Sequence, residues 1–237
     1  MAVLRSDIGK VREINEDSAW MNPEAGIYCV ADGMGGHLAG EVASRMAVEA
    51  VEALAQEQRP AGILKLDAMM EQANARILEH ARTHPECSGM GTTLSVLWFR
   101  DGYGFIAHVG DSRIYRYRGG VLSQMTMDHS LVAEMVRCRI LTPEQARNHP
   151  RRNIITRALG TAGDNEPELL IAQQQPGDVW LLCSDGLSGV LEDGEMTRCL
   201  KESASLEEAG DALIAAALEA GGPDNVTLIL TGGKEKV

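Results

Sequence analysis

The 237-residue sequence contains none of the long apolar runs that cross membranes. A membrane span needs ~20 consecutive apolar residues, and the longest runs here are only a few residues long. Residues 1–10 mix charged with apolar side chains and offer neither an apolar export region nor a small-residue cleavage site. We therefore expect a cytoplasmic protein that makes no membrane contact.

Positive charge is also scarce, because 22 Lys and Arg stand against 34 Asp and Glu, a formal net charge of −12 at pH 7. This sign opposes binding to the anionic backbone of nucleic acids. The five cysteines include no Cys-x-x-Cys pair, the six histidines show no zinc-site spacing, and the dinucleotide and Walker motifs are absent. We expect no nucleic-acid partner, no zinc or nucleotide motif, and reduced, structural thiols.

The composition itself is that of an ordinary globular protein, with 44% hydrophobic and 24% charged residues. No internal repeat or long Pro/Gly/Ser-rich linker interrupts the chain, which predicts that residues 1–237 form a single domain. No heptad pattern requires association with a second copy, so we expect a monomer.

Hydrophobic spacing predicts two amphipathic helices, over residues 40–58 and 64–84. Strand patterns follow at 92–99, 104–109 and 114–117. The dipeptides Asp101-Gly102 and Gly110-Asp111 join them as turns, which predicts an antiparallel meander.

The second half of the chain contains further helix and strand signals. Short helices are predicted after Ser130 and after the capping-box residue Thr142, and a longer helix after Ser205. A final strand is predicted at 225–231. Helices bunch in two places and strands in three, which favours an α+β fold with layered sheets.

Four Asp-Gly pairs occur, and each by itself predicts a turn because glycine tolerates positive φ. We interpret Asp101-Gly102 as a hairpin turn and Asp193-Gly194 as a surface turn. The pairs that begin at Asp32 and Asp185 differ, since each terminates a short apolar strand.

Asp111 and Asp224 also lie at strand ends, so four such ends present aspartates. If these ends meet, the carboxylates raise one another's pKa or bind a cation. Oxygen ligands suit Mg²⁺ or Mn²⁺. The carbonyl oxygen of Gly33 is a further candidate ligand, because a residue without a Cβ lets its backbone approach an ion closely.

An arginine and two acids precede the first strand in the segment Arg12-Glu13-Ile14-Asn15-Glu16-Asp17. Two interpretations stay open for it. The segment is either a solvated surface turn with a local ion pair, or a site where Arg12 holds a phosphate bidentately beside a metal-binding acid. The residues alone thus indicate a metal–carboxylate site near an arginine.

Together these segments resemble the metal-dependent type 2C protein serine/threonine phosphatases. The matching motifs occur in the order and approximate spacing of the family, and they are Arg12-x-x-Asn15-Glu16-Asp17, Asp32-Gly33-Met34-Gly35-Gly36, Gly91-Thr92-Thr93, Val109-Gly110-Asp111-Ser112-Arg113, Ser184-Asp185-Gly186 and Asp224-Asn225. The resemblance is to a compact bacterial catalytic domain. It implies a four-layer αββα sandwich, in which helix pairs flank two antiparallel sheets, with a flap near residues 130–157.

The resemblance also implies two core Mn²⁺ or Mg²⁺ ions. Asp32 is similar to the aspartate that bridges both ions, and the Gly33 carbonyl to a ligand of one of them. Asp185 and Asp224 resemble ligands of the first ion, and Asp17 the acid that holds the second, largely through water.

A third, weaker ion is implied as well, held by Asp111 with Asp185. Arg12 is expected to receive the substrate phosphate, which a metal-bridged water or hydroxide attacks in line. Many eukaryotic members carry a histidine, the proposed general acid, where this chain has Met34, so the acid stays unassigned. The nearby His37 is expected to be a surface or capping residue.

His149 and Arg152 in the flap are candidate contacts to the phosphopeptide. A solvated loop is an equally open interpretation of the basic segment 151–157.

The function implied is hydrolysis of phosphoserine and phosphothreonine in proteins, reversing a cytoplasmic serine/threonine kinase. One alternative is a catalytically silent pseudophosphatase that binds phosphoproteins, which the complete ligand set disfavours. Another is a phosphatase for small phosphate esters or for a single anti-sigma antagonist.

Overall fold

The computed structural model describes residues 1–35, 39–56, 62–163 and 165–232. The strands are β1 (Ala2–Asp7), β2 (Asp17–Asn22), β3 (Ile27–Met34), β4 (Gly91–Thr92), β5 (Leu94–Arg100), β6 (Tyr103–Val109), β7 (Arg113–Arg118), β8 (Val121–Gln124), β9 (Glu168–Gln173), β10 (Val179–Cys183) and β11 (Val226–Gly232). The helices are α1 (Ala39–Gln56), α2 (Ile63–Thr83), α3 (Leu131–Arg137), α4 (Pro143–Arg147), α5 (Asp185–Ser188), α6 (Asp193–Glu202) and α7 (Leu206–Glu219), with a 3₁₀ turn at Pro85–Cys87.

The strands form two antiparallel sheets. The first sheet has the order β1-β11-β10-β7-β8, and the second has the order β2-β3-β5-β6-β9, with β4 against β3. Apolar side chains of both sheets, including Val30 and Trp180, fill the space between them. The layered α+β expectation is confirmed.

Each outer face of the sandwich is covered by a helix pair. Helices α1 and α2 pack on the second sheet, where small residues such as Ala43 and Ala47 on α1 let the helix approach the strands closely. Helices α6 and α7 cover the first sheet through buried residues such as Leu200 and Leu213. Both predicted N-terminal helices are thus confirmed as far as the described residues reach.

The predicted meander is wrong. Strands β5 and β6 form a hairpin in the second sheet, but β7 pairs with β10 and β8 in the first sheet. The chain crosses between the sheets at Gly110, whose φ of 110° only glycine adopts readily. A buried hydrogen bond of 2.7 Å between the hydroxyls of Thr93 and Ser112 secures this crossing. Local strand signals cannot tell which sheet a strand will join.

Of the two Asp-Gly pairs predicted to be simple turns, one is a turn and the other begins a helix. Asp101 has a φ of 52° in the β5–β6 turn, so that hairpin is confirmed. Asp193, in contrast, is the first residue of α6, a helix with a capping box between Glu192 and Glu195. The predicted surface turn is therefore wrong at Asp193.

Residues 130–157 form the flap, which carries α3 and α4. The hydroxyl of Ser130 caps α3 by accepting from the backbone of Ala133, and Thr142 forms the predicted capping box with Gln145. An isolated bridge between Ser130 and Ile155 closes the base of the flap. Within the part of the chain that the structure describes, no helix is long and apolar enough to span a membrane.

Candidate active site

Aspartates from both sheets converge at one end of the sandwich. Asp17 begins β2 and lies directly opposite Asp32 of β3 in the strand register. Asp185 begins α5 immediately after β10, and Asp224 lies two residues before β11, the neighbour of β10. The second sheet thus supplies two carboxylates and the first sheet another two.

These carboxylates are buried near one another, and each affects the ionisation of the others. Burial, and then the charges of Asp17 and Asp185, raises the pKa of Asp32 well above its ordinary value. Burial, and then the charge of Asp224, likewise raises the pKa of Asp185. The strand ends that carry these aspartates thus lie together, which is the condition on which the sequence-based metal site depends.

Asp17 is fixed by two hydroxyl groups. Ser184 donates to its Oδ2 at 2.7 Å, and the side chain of Thr227 also hydrogen-bonds to it. Burial is the main reason that the pKa of Asp17 is raised to about 7, and repulsion from Asp185 and Asp224 adds to it. No sequence pattern assigns this role to Ser184 or Thr227, although each lies within three residues of an aspartate in a motif.

Asp111 has a buried carboxylate whose Oδ1 atom has no hydrogen-bond partner among the described residues. Burial and the charge of Asp185 raise its pKa well above the ordinary value. A buried acceptor without a donor costs free energy, and a cation removes that cost. The orphaned oxygen and the all-oxygen donor set therefore fit a hard divalent ion.

Arg12 lies at the rim of this cluster. Its guanidinium donates to Asp224 Oδ2 at 2.8 Å and lies 3.9 Å from the carboxylate of Glu16. About half of the side chain is exposed, so several of its N–H donors face solvent. Of the two interpretations of the Arg12 segment, a surface turn or part of a metal–phosphate site, the contact of Arg12 with Asp224 favours the second.

The loop that carries Arg12 is held by Asn225. The Asn225 amide donates to the carbonyl oxygens of Ile8 at 3.0 Å and Ile14 at 2.9 Å, and its Oδ1 accepts from the backbone of Glu16 at 2.8 Å. One side chain next to a predicted ligand thus fixes the path of residues 8–16.

Glycines at the site allow backbone segments to touch. A Cβ on Gly33 would collide with the backbone of Gly40 at the start of α1, so the glycine is required by helix packing, a reason that sequence reasoning did not identify. A Cβ on Gly186 would collide with the carbonyl oxygen of Asn225. The backbone of Gly33 also donates to the Glu16 carbonyl oxygen at 3.1 Å.

The two flap residues predicted to contact the phosphopeptide, His149 and Arg152, differ in their position relative to the main cavity. Arg152 lines a cavity of about 540 Å³ that also reaches Asp111 and Asp185. His149 is not among the residues that line this cavity, and its Nδ1 accepts from the backbone of Arg151 at 3.2 Å.

Other residues of the first glycine-rich motif lie partly outside the described residues. Met34 is the last residue of β3 and pairs with Gly91 of β4. Gly36 and His37 lie outside the described residues, so the expectation for His37 stays a prediction.

A second group of potential ligands comes from residues outside the aspartate motifs. Ligand atoms of His108, His129 and Glu168 lie within 4.8 Å of one another. Both ring nitrogens of His108 are already engaged, one with the Ser95 hydroxyl at 2.8 Å and the other with the Met127 carbonyl oxygen at 3.1 Å. We interpret this group as a hydrogen-bond network that joins strands β6 and β9 to the loop before α3.

Comparison with known proteins places this geometry in a family. A sequence model described as protein phosphatase 2C matches residues 11–222. The serine/threonine phosphatase stp of Listeria innocua is 39% identical over 97% of this chain and 94% of its own length. The serine/threonine protein phosphatase PstP of Mycobacterium tuberculosis is 42% identical over 95% of this chain, and this chain spans 43% of the length of PstP.

A solved structure agrees with both the fold and the metal chemistry. The crystal structure of the catalytic domain of PstP in complex with two manganese ions is 39% identical, covers 97% of this chain and 96% of that chain, and superposes with a TM-score of 0.89. The family model covers most of the sequence, and the chain belongs to the protein phosphatase 2C family.

Proposed function

We propose that this chain is a single catalytic domain that hydrolyses phosphoserine and phosphothreonine esters in proteins, using two Mn²⁺ or Mg²⁺ ions. The observation that carries the proposal is the cluster of aspartates with raised pKa values, one of which has an orphaned buried oxygen. Divalent ions at such a site supply activation of water and neutralise charge on the phosphoryl oxygens.

The resemblance to type 2C phosphatases assigns the ligands, and the positions of the carboxylates support the assignment. Asp32 is central, since the charges of the other aspartates all act on it, and it would contact both ions. Asp185 and Asp224 from the first sheet would hold one ion. Asp17 and the carbonyl oxygen of Gly33 would hold the other.

A third ion is proposed at Asp111, where the charge of Asp185 is the largest electrostatic cause of the raised pKa. Asp111 and Asp185 would hold this ion, and its binding does not depend on the assignment of the two core ions. The orphaned Oδ1 of Asp111 supports it.

The protein's own groups bind and orient the substrate. Arg12 offers several N–H donors beside Asp224, which suits bidentate binding of a phosphate oxygen pair. Ser184 and Thr227 hold the carboxylate of Asp17 in one orientation. Asn225 holds the loop that positions Arg12.

The proposed setting is the cytoplasm, where a serine/threonine kinase would supply the phosphoprotein substrates. The net charge of −12 supports the absence of nucleic-acid partners. We propose that the domain acts as a monomer without membrane contact. The comparisons give no support to a catalytically silent phosphoprotein-binding protein.

The test is phosphate release from a phosphothreonine peptide with Mn²⁺, with Mg²⁺ and with excess chelator. Asp32→Asn removes one charge from the centre of the cluster, and Asp67→Asn on α2 is the matched control. We expect metal-dependent release by the parent and by Asp67→Asn, and none by Asp32→Asn. Binding of the peptide without release under any metal would favour the silent alternative.

A further inference from the structure

A cavity of about 540 Å³ separates the flap from the body of the protein. Its lining includes Asp111 and Asp185 of the proposed metal site, and also Asp193 at the start of α6. It is therefore continuous with the proposed metal site and large enough to admit more than one side chain of a peptide.

Three arginines from the flap line this cavity: Arg137, Arg147 and Arg152. Among the described residues, none of the three forms a salt bridge with a carboxylate. Arg113 also lines the cavity, but Asp128 neutralises it through two hydrogen bonds of 2.8 and 2.7 Å.

Two of the three arginines are held in place by backbone carbonyl groups. Arg147 donates to the carbonyl oxygen of Leu191 at 3.2 Å, and Arg152 donates to the carbonyl oxygen of Arg147 at 3.3 Å. The N–H groups that remain on each guanidinium are available to a ligand. Asp111 and Asp185 are assigned to the metal site and Asp128 pairs with Arg113, which leaves Asp193 as the one other acid among the described lining residues, so the three arginines favour an anionic occupant.

We propose that this cavity binds a second anionic group on the phosphopeptide, a few residues from the phosphorylated residue. The inference rests on the proposed function, because the phosphate that is hydrolysed is taken to lie beside Asp111 and Asp185. The chemistry that the arginines recognise is shared by the carboxylate of Asp or Glu and by a second phosphate, since both accept two parallel N–H donors. The cavity would thus set a preference for acidic substrates.

The experiment measures kcat/KM with Mn²⁺ on a family of phosphothreonine peptides. One peptide has alanine at all neighbouring positions, and the others carry a single glutamate at successive positions on either side. A further set replaces the glutamate with a non-hydrolysable phosphonate analogue of phosphothreonine. We expect a preference of about tenfold over the alanine peptide at one or two positions, the factor expected for one charge-assisted hydrogen-bond pair.

Arginine variants test where the preference arises. Arg137→Gln and Arg152→Gln should each bring the ratio of acidic to alanine peptide towards one. Arg45→Gln, an exposed residue on α1 that pairs with Glu41, is the matched control and should keep the parent ratio. A phosphonate preferred over glutamate would identify a second phosphate as the natural group, whereas equal values would show that a carboxylate suffices.

Failure of the inference and failure of the proposed function give different results. Hydrolysis of the alanine peptide with a ratio of one at every position, or a ratio unchanged in both flap variants, would overturn the cavity proposal alone. No hydrolysis of any peptide or of p-nitrophenyl phosphate would overturn the proposed function, and this inference with it.

Discussion

The hydroxyl of Ser184 donates a 2.7 Å hydrogen bond to the carboxylate of Asp17, and this bond joins the two sheets. Ser184 follows β10 of the first sheet, whereas Asp17 begins β2 of the second. Ser184 in turn accepts from the backbone of Thr227 at 3.0 Å, and the Thr227 hydroxyl lies 2.8 Å from that of Ser6. A row of small hydroxyl side chains therefore supports one proposed ligand.

Replacing Ser184 with alanine should weaken metal binding. The substitution removes a donor to Asp17, and loss of such a supporting bond typically lowers metal affinity or activity about 10- to 100-fold. Titration calorimetry with Mn²⁺ measures the affinity, and phosphopeptide hydrolysis measures kcat. Ser123→Ala on β8 is the matched control and should resemble the parent. Unchanged affinity and kcat in Ser184→Ala would remove the hydroxyl from the supporting role.

Arg12→Ala should lower kcat/KM for phosphopeptides by about tenfold or more, because a charge-assisted bidentate contact to phosphate is lost. Arg12→Lys should recover part of this loss, since it keeps the charge without the planar fork. A rise in KM alone would indicate equal binding of ground and transition states, and a fall in kcat alone would indicate binding in the transition state. Parent-like kcat/KM in both variants would exclude Arg12 from substrate binding.

Gly186→Ala should destabilise the fold and the site together. Its Cβ would collide with the carbonyl oxygen of Asn225, the residue that holds the Arg12 loop. Overpacking of this kind costs about 1–3 kcal/mol, which chemical denaturation can measure. Gly194→Ala in α6 is the control, because nothing lies within 4 Å of its new Cβ. The control should be neutral or slightly stabilising, and equal behaviour of the two variants would contradict the prediction.

Acid should destabilise the protein in part through His108. Its burial, and then the neighbouring His129, lowers the pKa of His108 from 6.5 to about 3. Between these values the unfolded chain binds a proton that the folded chain does not, so stability falls as the pH drops through this window. One such group contributes up to about 1.4 kcal/mol per pH unit.

The measurement for His108 is the free energy of unfolding at several pH values between 3 and 7. His108→Gln should show a shallower loss on acidification than the parent, whatever its absolute stability. His84→Gln, a substitution of an exposed histidine after α2, should keep the parent slope. Parallel slopes in all three proteins would argue against a neutral, buried His108.

The sequence predicted those parts of the fold that depend on local pattern. The apolar residues of α1, α2 and α7 recur at helical spacing, and the sequence Thr142-Pro143-Glu144-Gln145 predicts the capping box of α4. Helix α6 was missed because most of its residues are polar, and only Met196, Cys199 and Leu200 are buried. Strand β2 was missed because all of its residues are half-buried, so it lacks a clear alternation.

The site divides in the same way. The aspartates follow from motifs and strand ends, which are local. The support given to Asp17 by Ser184 and Thr227 depends on the docking of two sheets, and the choice of partner for β7 depends on the crossing at Gly110. Both are long-range features that no local pattern encodes.

The distribution of the aspartates along the chain has a consequence for protein synthesis. Asp17 and Asp32 lie among the first 35 residues, whereas Asp224 lies two residues before the last strand, and β11 completes the first sheet between β1 and β10. A growing polypeptide on the ribosome therefore lacks a complete ligand set until residue 224 has emerged. An incomplete translation product would thus lack one carboxylate of the proposed metal site and the strand that joins β1 to β10.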